Sequence, residues 1–218
     1  MDKLRILVAH QRPAIARAIK QILDTYGFAA QAFSDGDAAA LAIKSQTFDG
    51  VVVDAALPGR PVHELCELAK GAARPVPAVI VIGAIFRRGS YKRRPARLYG
   101  ADEMVEIHRV ATELPALIWR LLARKGAQAA AIAEADMALW SLHNQVSPGP
   151  ERLAGLVVAG LLLARADEVA EIDAPAGLVG LLSGDLEAAR ADLAEATGDR
   201  AHDEAILRSF QELLTGPG

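Results

Sequence analysis

The chain has 218 residues and a mass of 23.0 kDa, enough for one sizeable core or for a domain with a smaller companion. Because 52% of the residues are apolar and 23% are charged, the composition is that of a globular protein and excludes a disordered chain. Residues 1–124 hold 18 Lys and Arg against 12 Asp and Glu, whereas residues 125–218 hold 6 against 15. This asymmetry favours docking of one half on the other, or binding of two different partners.

Hydropathy and cysteine content restrict the class of protein further. The longest apolar run, residues 153–164, spans 12 residues, fewer than the roughly 20 that a membrane crossing needs, so no membrane insertion is predicted. The N-terminus shows no signal-peptide pattern, and we expect a cytoplasmic location. The single cysteine, Cys66, excludes an internal disulfide. Its place on the apolar face of a predicted helix indicates a buried filler rather than a nucleophile.

In the first half, runs rich in Val and Ile alternate with segments of helical periodicity, as in a parallel sheet with crossover helices. The predicted strands are residues 4–9, 28–33, 50–54, 78–82 and 103–107. The first two predicted helices begin at Pro13 and after Gly36. The third and fourth lie near residues 62–70 and 90–99, and the fifth begins after Thr112. The pattern predicts an α/β fold with a (βα)5 parallel sheet.

Beyond Arg124, Ala and Leu at helical spacing replace the β-branched clusters and predict an all-α second domain. The predicted helices are near residues 127–144, 151–172, 175–182, 184–197 and 203–214. Residues 178–182 and 186–193, joined by a turn at Gly184, resemble one helix-turn-helix of a tetratricopeptide-type repeat. No second copy occurs at the required period, so a helical bundle is the favoured alternative. The predicted domains are residues 1–125 and residues 126–218, the latter an α-helical bundle or interaction domain.

Five landmarks occur in a fixed order in the first half. They are residues 3–8 followed by a polar triplet and Pro13, residues 33–36, residues 48–54 with Leu57-Pro58-Gly59, residues 77–82, and residues 100–103. Together they make residues 3–124 resemble the receiver domain of two-component response regulators. The resemblance implies an aspartate at the end of the third strand that accepts a phosphoryl group. It also implies two acids after the first strand that hold Mg²⁺, a Thr or Ser that ends the fourth strand, and a Lys that ends the fifth. The fold implied by the resemblance is a flavodoxin-like, doubly wound parallel sheet.

Matched position by position, the sequence keeps the phosphoryl acceptor as Asp54 and lacks the other four groups. The acidic pair falls on His10 and Gln11, the hydroxyl on Gly83 and the lysine on Ile107. A neutral imidazole and an amide supply none of the negative charge that holds Mg²⁺. Without the hydroxyl and the ammonium, an acyl phosphate has no partner side chain through which it could change the conformation. We therefore predict a degenerate pseudo-receiver that phosphorylation does not switch.

The expected role of Asp54 is that of a polar group at the end of its strand, bonded to loop amides and to His10. Two alternatives stay open: weak phosphorylation, with an arginine or the amino-terminal end of a loop in place of the metal, and a transition-metal site shared with His10. Two ligands do not make a metal site, so no metal or cofactor is expected. The sequence shows no nucleophile and base pair and no glycine-rich phosphate loop, and we expect no enzymatic activity.

The most unusual stretch is residues 86–97, hereafter the basic segment, which has six positive charges in the eleven residues 87–97 and no acid among them. It falls at the family's signalling face, where a receiver has the loop after its fourth strand and its fourth helix. Guanidinium groups bind phosphates bidentately and Tyr91 offers a stacking surface, so an anionic nucleotide is one candidate ligand. The candidate binding residues are Arg87, Arg88, Tyr91, Lys92, Arg93, Arg94 and Arg97.

Two functions follow from these patterns. The first is a phosphorylation-independent adaptor that binds protein partners in a signalling pathway, with the basic segment docking on an acidic surface such as that of the second half. The second is an effector of a cyclic dinucleotide, because arginine-rich insertions at this place resemble those of receiver-like proteins that bind cyclic di-GMP. Nucleic acid is a poor fit, since the rest of the chain lacks a basic stripe.

Overall fold

The computed structural model describes residues 3–72, 76–83, 99–124, 150–169, 171–172, 174–197 and 201–215. Its sheet has five parallel strands, β1 (Arg5–Ala9), β2 (Ala29–Phe33), β3 (Gly50–Asp54), β4 (Ala78–Gly83) and β5 (Glu103–Glu106). The strand order is β2-β1-β3-β4-β5, which is the flavodoxin-like, doubly wound order. The predicted α/β fold class is therefore confirmed.

In the described part of the first half, four helices cover the two faces of the sheet. They are α1 (Pro13–Thr25), α2 (Gly36–Ser45), α3 (Val62–Ala72) and α4 (Val110–Ala123). Helices α1 and α4 share one hydrophobic core with the sheet, and α2 and α3 share another on the opposite face. Pro13 suits the start of α1, because the first helical position needs no N–H donor. The side chain of Asp35 caps α2 by accepting hydrogen bonds from the amides of Asp37 and Ala38.

The end of β5 differs from the prediction. Ile107 begins a 3₁₀ turn, Ile107–Arg109, so the strand ends one residue earlier than expected. Helix α4 follows at once from Val110 instead of beginning after Thr112. The hydroxyl of Thr112 donates to the carbonyl of Arg109 at 3.2 Å, so Thr112 lies inside the first turn and is not its cap. The predicted helix near residues 90–99 lies outside the described residues except for Tyr99, which is in a turn with φ of 51°.

The described helices of the second half are α5 (Pro150–Ala164), α6 (Ala166–Val169), α7 (Pro175–Thr197) and α8 (Ala201–Thr215). The predicted helix over residues 151–172 is divided at Arg165, and the predicted break at Gly184 is wrong because α7 continues through it. The predicted resemblance of residues 178–193 to a helix-turn-helix is therefore also wrong, because one helix covers them. The predicted helix near residues 127–144 lies outside the described residues. None of the helices in the described ranges is long and apolar enough to cross a membrane.

One hydrophobic core extends from the sheet through α1 and α4 into α5, α7 and α8. Leu117, Leu121 and Leu122 of α4 are each at most 7% exposed within it. The expectation that the acidic second half packs on the first is thus confirmed for the described helices. The chain between α4 and α5 is outside the described residues, so the boundary between residues 1–125 and 126–218 stays a prediction.

Two guanidinium groups fix how the second half sits on α1. Arg17 of α1 donates from Nε to the carbonyl of Leu213 at 2.7 Å and from Nη2 to that of Leu214 at 3.2 Å, at the C-terminal end of α8. In the other direction, Arg152 of α5 donates to the carbonyl of Thr25, the last residue of α1, at 2.6 Å. Cations at helix C-termini satisfy the last carbonyls and suit the helix dipole. The interface therefore combines apolar burial with specific polar contacts.

Candidate functional site

The candidate site lies where β1 and β3 meet at the carboxyl edge of the sheet. Asp54 is the last residue of β3 and His10 directly follows β1, and the two strands pair in parallel with Ala9 opposite Val53. In this strand order the chain connections diverge between β1 and β3, which is where open α/β sheets bind their ligands. Asp54 is 1% exposed and His10 is 6% exposed, so both polar side chains are buried there.

The Asp54 carboxylate is held by loop amides. Ala56 N donates to Oδ1 at 3.0 Å, and Gln11 N donates to Oδ2 at 3.4 Å. The Nε2 atom of His10 lies 3.6 Å from Oδ2, which is too long for a direct hydrogen bond but close enough for electrostatic interaction. These groups compensate the buried carboxylate with dipoles.

The His10 ring is neutral in the tautomer that this environment selects. Arg12 N donates to its Nδ1 at 3.0 Å. A backbone amide can only donate, so Nδ1 carries a lone pair and the ring proton is on Nε2, facing Asp54. Burial lowers the pKa of His10 below its ordinary value of 6.5, while the Asp54 carboxylate acts in the opposite direction. At neutral pH the Asp54 carboxylate therefore faces a neutral imidazole and not a cation.

The other three positions matched to the receiver site, Gln11, Gly83 and Ile107, bring no polar side chain close to Asp54. The side chain of Gln11 is exposed, and the residue reaches the site through its backbone. Gly83 ends β4, where a Cβ would lie 3.7 Å from Met104 Sδ and 3.8 Å from the carbonyl oxygen of Val105. Ile107 is 4% exposed and belongs to the core shared with α1 and α4. The structure thus groups Asp54, His10 and the Gln11 backbone, and it assigns Ile107 to the hydrophobic interior.

The donor set does not fit the Mg²⁺ ion that the receiver resemblance implies. Mg²⁺ prefers oxygen ligands in octahedral geometry, usually carboxylates with water, whereas the groups beside Asp54 are an imidazole and amide donors. Among the described residues, no group of three or more His, Cys, Asp and Glu side chains is arranged to hold a metal ion. Within the described ranges, the alternative transition-metal site would have only two candidate side chains, those of His10 and Asp54, which is too few for a metal site.

Cys66 lies on α3 and is fully buried among apolar side chains. Burial raises the pKa of its thiol to about 11, so the reactive thiolate is scarce at neutral pH. This agrees with its interpretation as a filler.

The basic segment lies outside the described residues, and with it all of the candidate binding residues between Arg87 and Arg97. The last described residue before it is Gly83, which ends β4 on the carboxyl edge of the sheet, the same edge that holds Asp54.

The sequence analysis missed Arg12 and Ala56. Both act through backbone amides, one on His10 and the other on Asp54. A backbone contact in a loop does not depend on residue type and has no periodicity, so the sequence contains no signal for it. The only hint is the short connection from β1 to Pro13, which leaves little room for the loop.

No protein-family model matches the chain, and no curated protein matches it. Solved structures similar to it include full-length FixJ from B. japonicum, with 22% identity, coverage of 98% of each chain and a TM-score of 0.46. Another is a response regulator protein from Burkholderia pseudomallei with a phosphorylated aspartic acid, calcium ion and citrate. That match has 19% identity over 77% of this chain and 93% of the other, with a TM-score of 0.39. At these values the assignment of the fold rests on the strand order and helix placement described above.

Proposed function

We propose that this chain is a phosphorylation-independent signalling protein of response-regulator type, a pseudo-receiver that acts as an adaptor for protein partners. One observation carries the proposal: the carboxylate in the position of the phosphoryl acceptor is buried between backbone amides and a neutral imidazole. The strand order and the five sequence landmarks support a receiver-type scaffold.

Phosphoryl transfer is catalysed mainly by positioning and by neutralising the charge of the transferred group. To neutralise that charge, the described groups around Asp54 offer two backbone amides and a neutral imidazole, and not the carboxylate pair that would bind a metal ion. Asp54 is therefore a structural group that ends β3 and holds the loops after β1 and β3. What is retained of the receiver is its scaffold and the surfaces on it.

The second half determines which of those surfaces partners can reach. The outer side of α1 is covered by α5 and α8, whose apolar residues share its core, and Arg152 of α5 caps its C-terminal end. This face is therefore closed to other proteins. In this proposal, partners bind the remaining surfaces, which include the side formed by α2 and α3, where Leu41 is 69% exposed.

We expect the wild-type protein to bind no Mg²⁺ at about 1 mM and to take up little phosphate from acetyl phosphate. The double substitution His10→Asp and Gln11→Asp restores the acid pair of a receiver, with one carboxylate at the buried position 10 and the second at the next loop position, and we expect it to create measurable Mg²⁺ binding. Isothermal titration calorimetry measures the metal affinity, and mass spectrometry of the intact chain measures phosphate uptake.

The triple variant with Asp54→Asn is the control, because it keeps the two new acids and removes the acceptor. Its phosphate uptake should be nil. Stable, stoichiometric phosphate on Asp54 of the wild type would contradict the proposal.

A second candidate function, an effector of cyclic di-GMP, is favoured by the charge density of the basic segment. Arginine binds phosphates and guanine edges through a planar pair of donors, whereas lysine keeps the charge without this geometry. If the segment binds the dinucleotide, Arg93→Lys and Arg94→Lys should each weaken binding by about 1–3 kcal/mol. If it only docks on acidic protein, the same variants should behave like the wild type and binding should weaken smoothly with salt.

Calorimetric titration of cyclic di-GMP at two salt concentrations distinguishes these cases. Arg120→Lys is the matched control, because Arg120 is exposed on α4 and pairs at 3.7 Å with Glu103, outside the segment. Absence of binding by the wild type at about 100 µM ligand would eliminate the effector function and leave the adaptor.

A further inference from the structure

The His10 ring is held from two sides, and each side uses a different nitrogen. Nδ1 accepts a hydrogen bond from Arg12 N at 3.0 Å. Nε2, which bears the proton, faces the Asp54 carboxylate at 3.6 Å. The backbone of His10 is fixed as well, since its amide donates to the Phe33 carbonyl of β2 at 3.0 Å. The ring therefore has no free acceptor position in this arrangement.

A second proton on this ring can bind only at Nδ1. There it would point at the Arg12 N–H, so that two donors would face each other and the hydrogen bond between them would be lost. At the same time the ring would become a cation beside the Asp54 carboxylate, and Nε2–H could then approach it as a charge-assisted donor. Protonation thus exchanges the Arg12 contact for a stronger Asp54 contact.

Arg12 connects this exchange to a helix. It is the N-terminal flanking residue of α1, and its carbonyl accepts the amide of Ala16 at 3.0 Å in the first turn. The backbone of Arg12 thus joins the loop to the helix, through its amide on one side and its carbonyl on the other. One turn further along, Arg17 holds the C-terminal end of α8.

We propose that the buried His10 and Asp54 form a proton-operated switch, in which protonation of His10 releases the amide of Arg12 and shifts the start of α1. This deepens the proposed function, on which it rests, because it gives the pseudo-receiver an input that needs no phosphoryl donor. Among the described residues, the charged groups that act on His10 are Asp54 from β3 and Arg12 from its own loop. Asp54 favours protonation, whereas Arg12 and burial oppose it.

The direction of the pH dependence follows from these influences. Since burial outweighs Asp54 and lowers the pKa of His10 below 6.5, the neutral ring is the form at neutral pH. As the pH falls, His10 of the unfolded chain binds its second proton before His10 of the folded chain does. The contribution of the neutral ring to the free energy of unfolding is therefore complete above pH 6.5 and is lost as the pH falls below it. The switch therefore operates in acid, at a pH below that of an ordinary histidine.

The experiment is an NMR titration of the full chain from about pH 8 to about pH 5, following the His10 ring and the Arg12 backbone amide. The expected result is that both signals change with one common midpoint below 6.5. His10→Asn identifies the ring signal and is the matched control. Asparagine offers a carbonyl oxygen at the place of Nδ1 and cannot titrate, so the Arg12 amide should then stay constant through this range.

A second variant, Asp54→Asn, tests the pair. Removing the carboxylate removes the group that favours the cation, and the His10 midpoint should fall further. A His10 midpoint at or above 6.5, or an Arg12 amide that does not follow the ring, would overturn the switch. So would an Arg12 titration that persists in His10→Asn. None of these results depends on phosphate uptake or on a partner, so failure of the switch leaves the proposed function to its own test.

Discussion

A chain that ends at Lys125 is expected to aggregate and to bind a hydrophobic dye such as ANS, because it lacks the helices that cover α1 and α4. In the full chain, α5, α7 and α8 share one core with these two helices, and Leu117, Leu121 and Leu122 are at most 7% exposed in that core. Exposed apolar patches larger than a few hundred Å² are uncommon on monomeric proteins and favour association. Size-exclusion chromatography and dye fluorescence measure the outcome.

The control is a chain that ends at Thr215, which keeps every described helix and removes only the last three residues. It should behave like the full protein. A well-behaved monomer of residues 1–125 with an unchanged melting temperature would show instead that the first half is independent of the second.

The strands were the most predictable part of the fold. In β3, the apolar run between Gly50 and Asp54 is bounded by a glycine and a carboxylate, and the strand has the predicted bounds. Strands buried on both faces are continuous apolar runs, so their sequence shows both where they are and that they are central. The start of α1 was equally clear, because Pro13 is a position-specific signal.

Helix boundaries in the second half were less predictable, because the usual signals there are overridden by packing. A glycine in a helix interior costs about 1 kcal/mol relative to Ala, and this cost is the reason why a break is predicted at Gly184. The structure continues α7 across it, with Leu182 and Leu186 at most 6% exposed on either side. Their burial outweighs the cost of the glycine. At Arg165 the opposite occurs: the helix ends without Gly or Pro, where the guanidinium pairs with Asp185 of α7 at 2.6 Å.

The candidate site was predictable as a set of positions but not as an arrangement of bonds. Parallel pairing of β1 and β3 was enough to expect Asp54 and His10 near each other. The tautomer of His10 depends on the Arg12 amide, which no side-chain pattern reveals. The chemical consequence, a neutral ring beside a carboxylate, therefore required the structure.

The substitution Leu162→Ala is expected to destabilise the whole chain, although Leu162 lies on α5 in the second half. Its side chain is 0% exposed in the shared core, and truncating a buried leucine to alanine costs about 2–5 kcal/mol. That is a large fraction of the roughly 5–15 kcal/mol by which a domain is usually stable. Leu207→Ala on α8 is the matched control: Leu207 is 47% exposed, and the same change there should cost less than about 0.5 kcal/mol.

Trp119 makes it possible to ask whether the two halves unfold together. Its ring is buried in α4, with centroid distances of 5.0 Å to Phe28 and 6.0 Å to Tyr26, so its fluorescence reports on the first half. Urea unfolding is followed by this fluorescence and by far-UV circular dichroism, with Trp140→Phe in every variant so that one tryptophan remains. Because the core is continuous, Leu162→Ala should move both transitions by the same amount. A fluorescence transition that stays at the wild-type midpoint while the dichroism transition moves would mean that the halves are separate folding units.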